Sequence, residues 1–359
     1  MSDGHEVTEV DAAAYTVPTD GPEADGTLTW DATTMVLVTV RTRAGVTGVG
    51  HTYGHECLKG LVDGLLGPRV VGIDVRETGA AWEAMRSAIR NLGRPGLCSM
   101  AIAAVDMALW DAKARALDVP LHRLLGAARA EVPVYGSGGF TTYSRDDLVA
   151  QLAGWVEQGI SRVKMKIGIS PQDDLERARA VRAAIGDDVE LYVDANGAYD
   201  QVTALRLGRR LVEEADVTWF EEPVSSDDLQ GLAALSRDLP LDVTAGEYGY
   251  HLEYFQAMAP CVDVVQADIT RCAGITEFLR VASTTTKPLS GHCAPMAHVH
   301  AATVPTHFRH LEYFHDHVRI EQMLFDGALE PVAGSLVPAE TPGNGLVFKE
   351  ADAKQFRVS

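Results

Sequence analysis

From about residue 132 onward the chain repeats one unit: a short apolar run, a few turn residues, then a stretch whose apolar positions recur with helical spacing. "VPVYGSGGF" is followed by "SRDDLVAQLAGWVEQG", and "RVKMKIG" by "SPQDDLERARAVRAAIG", where Ser170 is placed to cap a helix that Pro171 opens. "LYVDANG", "TWFEEP", "DVTAGE", "VDVVQAD", "KPLSGH" and "RHLEYF" continue the strand series. Helical stretches such as "ALRLGRRLVEEA", "LQGLAALSRDL" and "ITEFLRVASTT" lie between them. Strands hydrophobic on both faces and alternating with helices predict a parallel sheet covered by helices, and about eight such units close a barrel. A doubly wound open sheet is the alternative. The absence of a glycine-rich phosphate turn after a first strand counts against it.

The N-terminal third has a different grammar. "MVLVTVRTRAGVTGVGH" alternates around an "RAG" turn and reads as an antiparallel hairpin, while "CSMAIAAVDMALWDAKARALD" reads as a long helix with an apolar face. "PTDGPEADGTLTWD", rich in Pro, Gly and Asp and carrying Trp30, reads as an exposed loop. The expected fold class is α/β, a (β/α)7β TIM-like barrel with an N-terminal α+β capping domain. The expected division is a cap over 1–128, the barrel with its site over 129–330, and a C-terminal segment over 331–359 whose short strand returns to the cap.

Composition narrows the partners. The chain has 359 residues, 46% of them hydrophobic, enough to bury a large core. Lys and Arg total 31 against 50 Asp and Glu, a formal charge of -19, so phosphate backbones and anionic membranes would repel it. Nucleic acid and membrane are therefore not expected partners. Five cysteines, an odd number without CxxC spacing, read as reduced thiols used in packing. The acidic start "MSDGHEVTEVDAAAY" lacks the features of a secretory signal, and no apolar run reaches membrane-spanning length. A cytoplasmic homo-oligomer acting on a small molecule is the expectation.

In a (β/α) barrel the C-terminal strand ends form the active face. Here those ends are charged: Lys164 and Lys166, then Asp194, Glu221 with Glu222, Glu247, Asp268, His292 and Glu312. Each alone reads equally as a solvated or capping side chain. Together they would crowd one small space, where unbalanced charge is costly. Asp194, Glu221 and Glu247, on adjacent strands, offer hard carboxylate oxygens that suit Mg2+ with positions left for water or substrate. Lys164 and Lys166, two apart, face the same side of their strand. Their mutual repulsion and a nearby cation would lower the pKa toward that of a usable base, with Lys166 as proton acceptor and Lys164 as the partner of a substrate carboxylate. The bland alternative is a surface-facing pair. Asp268 could orient His292 so that one imidazole nitrogen stays free for proton transfer.

As an ordered set, the KxK of "VKMKIG", the Asp of "YVDANG", the first Glu of "WFEEP", the Glu of "AGE", the Asp of "QADITRCAGIT", the His of "SGH" and the Glu of "HLEYF" resemble the mandelate racemase/muconate lactonizing enzyme family of the enolase superfamily. The resemblance runs over nearly the whole chain and is nearest the mandelate racemase subgroup, since muconate lactonizing enzymes and dipeptide epimerases typically carry an Asp as third metal ligand and a Lys on the sixth strand. It implies Asp194, Glu221 and Glu247 as Mg2+ ligands, Lys166 as a base on one face of the substrate, and the His292–Asp268 dyad on the other. It further implies Glu312 as a hydrogen-bond partner of an enediolate, Lys164 as neutraliser of the carboxylate, and a capping domain that selects substrate. Trp30 and the "GHTYGH" turn from His51 to His55, with Tyr53, are the expected selecting groups, along with Asn196. The expected reaction is removal of the proton α to a carboxylate, most often followed by dehydration of an acid sugar to a 2-keto-3-deoxy acid. Racemisation or epimerisation of a 2-hydroxy acid is the alternative, and a non-catalytic binding protein a minor one.

Overall fold

In the computed structural model, which describes residues 4–359, eight parallel strands close into a ring. Met1 to Asp3, the very start of the acidic N-terminus, lie outside the described residues. Three antiparallel strands come first: β1 Val7–Ala24, β2 Thr29–Thr42 and β3 Thr47–Tyr53. The barrel strands follow as β4 Val132–Gly138, β5 Arg162–Lys166, β6 Glu190–Asp194, β7 Val217–Glu221, β8 Asp242–Ala245, β9 Val264–Ala267, β10 Leu289–Gly291 and β11 Phe308–Phe314. They pair in chain order, and β11 pairs back onto β4.

Alternation along the strands sorts the barrel into two environments. Val163 and Met165 of β5, Leu191 and Val193 of β6, and Phe220 of β7 point outward into the large core shared with the helices. The inward positions fill the barrel with Tyr135, Tyr192, Trp219 and Val264 lower down, with His310 edge-on to Tyr135 at 4.8 Å. Above this aromatic plug the inward positions turn charged. Strands legible in sequence as two-sided apolar are thus apolar outside and, at their C-terminal ends, ionic inside.

The cap packs unusually close to its own long helix, Leu97–Ala116. Gly48 and Gly50 of β3 lie where a Cβ would come within 2.3 Å of Ala108 O and 2.4 Å of Ala104 O. Two buried acids anchor that helix, Asp106 to the barrel and Asp111 to β3 and the C-terminal segment. Asp106 accepts from Thr276 N and Oγ1 at 2.9 and 2.6 Å, and Asp111 accepts from Val49 N and Asn344 N at 2.9 and 2.7 Å. Ser335–Leu336 add antiparallel to β4; the short strand expected to return to the cap, Val347–Phe348, pairs instead with Phe325–Asp326, and it is the last residues that reach the cap, Val358 N donating to Ala14 O and Ala14 N to Ser359 O.

The segment around Trp30 differs from expectation. Residues 18–31 are not an irregular loop but the far end of a long hairpin, paired Pro18 to Ala32 and Glu23 to Trp30, with an irregularity between. The Pro, Gly and Asp content marks that irregularity and the tip. Gly26 at the tip lies against Ile167, Gly168 and Ala195, directly over the ends of β5 and β6. Hydrogen bonds from Thr141 Oγ1 to Ala24 O and Asp25 O hold it there. No described helix is long and apolar enough to cross a membrane, and all five cysteines are unpaired.

Candidate active site

The strand-end charges meet in one buried cluster. Asp194 closes β6, Glu221 closes β7 and Glu247 stands two residues beyond β8; all three are buried, and one oxygen from each lies within 4.8 Å of the others. Glu247 Oε2 lies 3.2 Å from His292 Nε2 but has no aligned hydrogen-bond donor, an orphaned buried acceptor. Three carboxylates converging with a spare acceptor fit a hard divalent cation better than they fit one another.

Both lysines project inward, and they serve these carboxylates. Lys164, wholly buried, places Nζ 2.7 Å from Glu221 Oε1, 2.8 Å from Glu312 Oε1 and 3.4 Å from Asp194 Oδ2, over the Tyr135 ring. Lys166 Nζ lies 2.5 Å from Asp194 Oδ2 and donates to Asn196 Oδ1 at 3.1 Å. The lowering expected of the lysine pKa is for the pair beside a cation; among the side chains alone the balance runs the other way. Burial does oppose the ammonium of Lys166, and Lys164 adds to that, but the Asp194, Glu247 and Glu221 carboxylates outweigh both and hold it above the ordinary lysine value. The mutual repulsion of the pair is real and is simply smaller than the field of the acids. Conversely, burial and Asp194 push Glu221 up to about 8.

On the other side of the mouth, β9 four strands from β5 in one direction and β10 three in the other, Asp268 follows β9 and His292 follows β10. His292 Nδ1 lies 2.9 Å from Asp268 Oδ2, while Thr270 N and Oγ1 each donate to Asp268 Oδ1 at 2.7 Å. That bond directs Nε2 into the cluster. Burial opposes the imidazolium, yet Glu247, Glu312 and Asp268 hold the His292 pKa well above its usual range. The neighbouring Cys293 thiol is pushed up to about 12 by burial and Glu312, so at neutral pH it contributes no charge to this balance. Glu312 of β11 is held by Ser137 Oγ at 2.5 Å, by Lys164 and by Cys293 N at 3.0 Å, and the lysine keeps its carboxyl below the usual range against the opposing effect of burial.

The expected selecting groups divide. Asn196, held at a φ of 45°, orients Lys166. Trp30 is half-buried at the rim, donating to Glu23 at 2.8 Å and meeting Phe140 edge-on at 5.5 Å beside Cys293 and Phe314. Tyr53 is buried and stacks on His317 at 3.5 Å, and His317 Nδ1 accepts from Ala294 N in the loop that carries His292. His51 is not at the mouth. It ends in the cap–barrel interface, 3% exposed, with Nε2 3.1 Å from Glu321 Oε1 and its ring on Phe325. "GHTYGH" is therefore the end of β3 rather than a turn, and of its two histidines only His55 is exposed.

Two residues of the cluster escaped the sequence reading. Arg271 reaches Glu247 Oε1 at 3.3 Å and Asp268 Oδ2 at 3.5 Å, joining the carboxylate group to the dyad. Its three-residue spacing after Asp268 was the available signal. Cys293 follows His292 directly, with φ of 50° turning its thiol inward, a conformation that sequence does not reveal.

A closed parallel barrel with this ionic cluster at its C-terminal face, under an α+β cap, defines a capped barrel of the enolase type. Residues 147–352 match the enolase C-terminal domain-like family, and residues 8–126 match the N-terminal domain of mandelate racemase / muconate lactonizing enzyme. The chain belongs to the mandelate racemase/muconate lactonizing enzyme family. It is 33% identical over 335 residues to L-talarate/galactarate dehydratase of Salmonella typhimurium, covering 88% of this chain and 81% of that protein. The crystal structure of that dehydratase with Mg and L-lyxarohydroxamate superposes with a TM-score of 0.91 at 27% identity, covering 99% of this chain and 94% of the other. A mandelate racemase/muconate lactonizing enzyme-like protein from Rubrobacter xylanophilus superposes with a TM-score of 0.96 at 48% identity, over 98% and 100% of the two chains. A racemase from Streptomyces coelicolor with bound magnesium gives 0.91 at 28% identity, over 98% and 100%.

Proposed function

We propose that this protein is a Mg2+-dependent hydro-lyase that removes the proton α to the carboxylate of a polyhydroxy acid and expels the β-hydroxyl as water, leaving a 2-keto-3-deoxy acid. The observation that carries the reading is the pairing of a buried three-carboxylate group with acid/base side chains on two sides of one mouth. The dehydratase name of the Salmonella relative and the magnesium in two of the similar structures support it.

Asp194, Glu221 and Glu247 would hold the cation, which supplies positive charge against the enediolate's developing negative charge. With those carboxylates committed, the attraction that keeps Lys166 protonated weakens, and its amine can accept the C2 proton. Asn196 aims that amine. Glu312, positioned by Ser137 and Cys293 N, would hydrogen-bond the enediolate oxygen through a proton that its carboxylate takes up as the enediolate's negative charge offsets Lys164. His292, oriented by Asp268, gives its Nε2 proton to the departing hydroxyl, and the resulting enol relaxes to the ketone. Lys164, sealed among Glu221, Glu312 and Asp194, balances their charge from below; a part in neutralising the substrate carboxylate would be through that field.

Acid and base groups on two sides also suit inversion at C2, so racemisation or epimerisation is the second reading, and one similar structure is a racemase. Lys166→Ala and His292→Asn test the assignment. Each should lower turnover by at least about a hundredfold, and His292→Asn should still exchange the substrate α-proton with deuterated water. Normal turnover in either variant would remove that residue from the chemistry.

A further inference from the structure

Beside the three carboxylates lies a second donor set of different character. His292 Nε2, Cys293 Sγ and Glu312 Oε2 form a triangle with edges of 3.2 Å (N to S), 3.4 Å (S to O) and 3.7 Å (N to O), all three residues buried. Bonds of about 2.0 Å to nitrogen and oxygen and about 2.3 Å to sulfur, at tetrahedral angles, put such donors roughly 3.3–3.6 Å apart. Around these atoms, Glu312 Oε2 also accepts from Cys293 N at 3.0 Å, which leaves it a lone pair, and His292 Nε2 faces Glu247 Oε2 at 3.2 Å. His292 Nδ1 is taken by Asp268, and Glu312 Oε1 by Lys164 and Ser137. The apolar side is walled by Phe140 and Phe314.

We propose that His292, Cys293 and Glu312 form a second metal site, selective for a thiophilic divalent ion such as Zn2+, whose occupation shuts the enzyme off. An imidazole, a thiolate and one carboxylate favour Zn2+, whereas three carboxylates favour Mg2+, so the two sites sort cations by donor softness. On binding, the Cys293 thiol gives its proton to solvent and a Zn–S bond forms. The His292 imidazolium likewise releases its Nε2 proton to solvent, and Zn2+ would take the lone pair so freed. The inhibitory consequence rests on the proposed role of His292 as proton donor, whereas the binding does not.

Cobalt(II) is the probe that separates the two. Added to Mg2+-saturated protein, it should produce a thiolate-to-cobalt charge-transfer absorption in the near ultraviolet, absent in Cys293→Ser, which keeps the exposed Cys57 as an internal control. Zn2+ should inhibit the wild-type enzyme without relief by excess Mg2+. Cys293→Ser, measured against its own turnover, should need more than the roughly tenfold higher Zn2+ that loss of even an outer-shell partner would require. Absence of the absorption in the wild type, or its survival in Cys293→Ser, overturns the site. So does inhibition that Mg2+ relieves in simple competition, since that places Zn2+ on Asp194, Glu221 and Glu247. If no substrate is turned over, the cobalt spectrum still decides the site independently of the proposed reaction.

Discussion

Lys164 and Lys166 point inward because Val163 and Met165, which alternate with them, belong to the outer core, and a strand of period two has no other way to satisfy both. Their position was legible in "VKMKI", but their charge state was not, since it depends on carboxylates delivered by three other strands. Histidines teach the same lesson. His300, 1% exposed, donates from Nε2 to Asn344 O at 2.9 Å and accepts at Nδ1 from His122 N at 3.2 Å. A second ring proton would face an N–H, and burial lowers its pKa to about 4. With the folded pKa below the unfolded value of about 6.5, the unfolded chain binds the extra proton, so stability falls as pH drops from about 6.5 toward about 4. His300→Gln should lose about 2 kcal/mol less between about pH 7 and about pH 5 in urea titrations. Equal losses would mean that His300 titrates normally. Nothing in "HVHAATVPTHFRH" separates His300 from its neighbours, because its partners lie at positions 122 and 344.

At the scale of elements, the strand–helix beat was readable because each unit carries its own periodicity, caps and turns; Ser170, for one, accepts from Asp173 N as its position before Pro171 foretold. The hairpin tip was not, since Pro, Gly and Asp mark both loops and irregular strand pairs. Only the contact of Gly26 with the ends of β5 and β6 settles which. His51 was misplaced for a related reason: a histidine beside a glycine looks like a site until Glu321 takes it. The contact between β3 and the helix Leu97–Ala116 is close enough to need glycine at two positions. Gly50→Ala would put a methyl 2.4 Å from Ala104 O and 2.5 Å from Ala108 N, both backbone atoms, so strand and helix must separate. A loss on the order of 1–3 kcal/mol should follow in equilibrium unfolding. A change below about 0.5 kcal/mol would mean that the two elements have slack.

At the scale of the whole molecule, the barrel gathers more carboxylates than its lysines, Arg271 and His292 balance, so metal binding and folding are linked. Mg2+ at a hundredfold excess over its Kd should stabilise the protein by about 2.7 kcal/mol. Glu221→Gln should abolish most of that gain along with Mg2+-dependent activity. An equal gain in the variant would place the ion elsewhere. Asp106 joins the cap to the barrel and the chain terminus joins the C-terminal segment to the cap, with Trp30 at the rim of a mouth whose charged cluster the barrel alone supplies. The reaction class was legible in sequence because its residues fall at strand ends in a fixed order; the substrate was not, because the hairpin that reaches the barrel mouth is folded over from far earlier in the chain and its contacts are not local. The most direct measurement incubates the Mg2+-loaded protein in deuterated water with a library of mono- and diacid sugars, following 2-keto acid formation and deuterium at C2. The account predicts at least one four- to six-carbon acid converted to a 2-keto-3-deoxy acid, with no conversion after chelation. Deuterium incorporation with inversion at C2 and no keto acid, or turnover that survives exhaustive chelation, would contradict it.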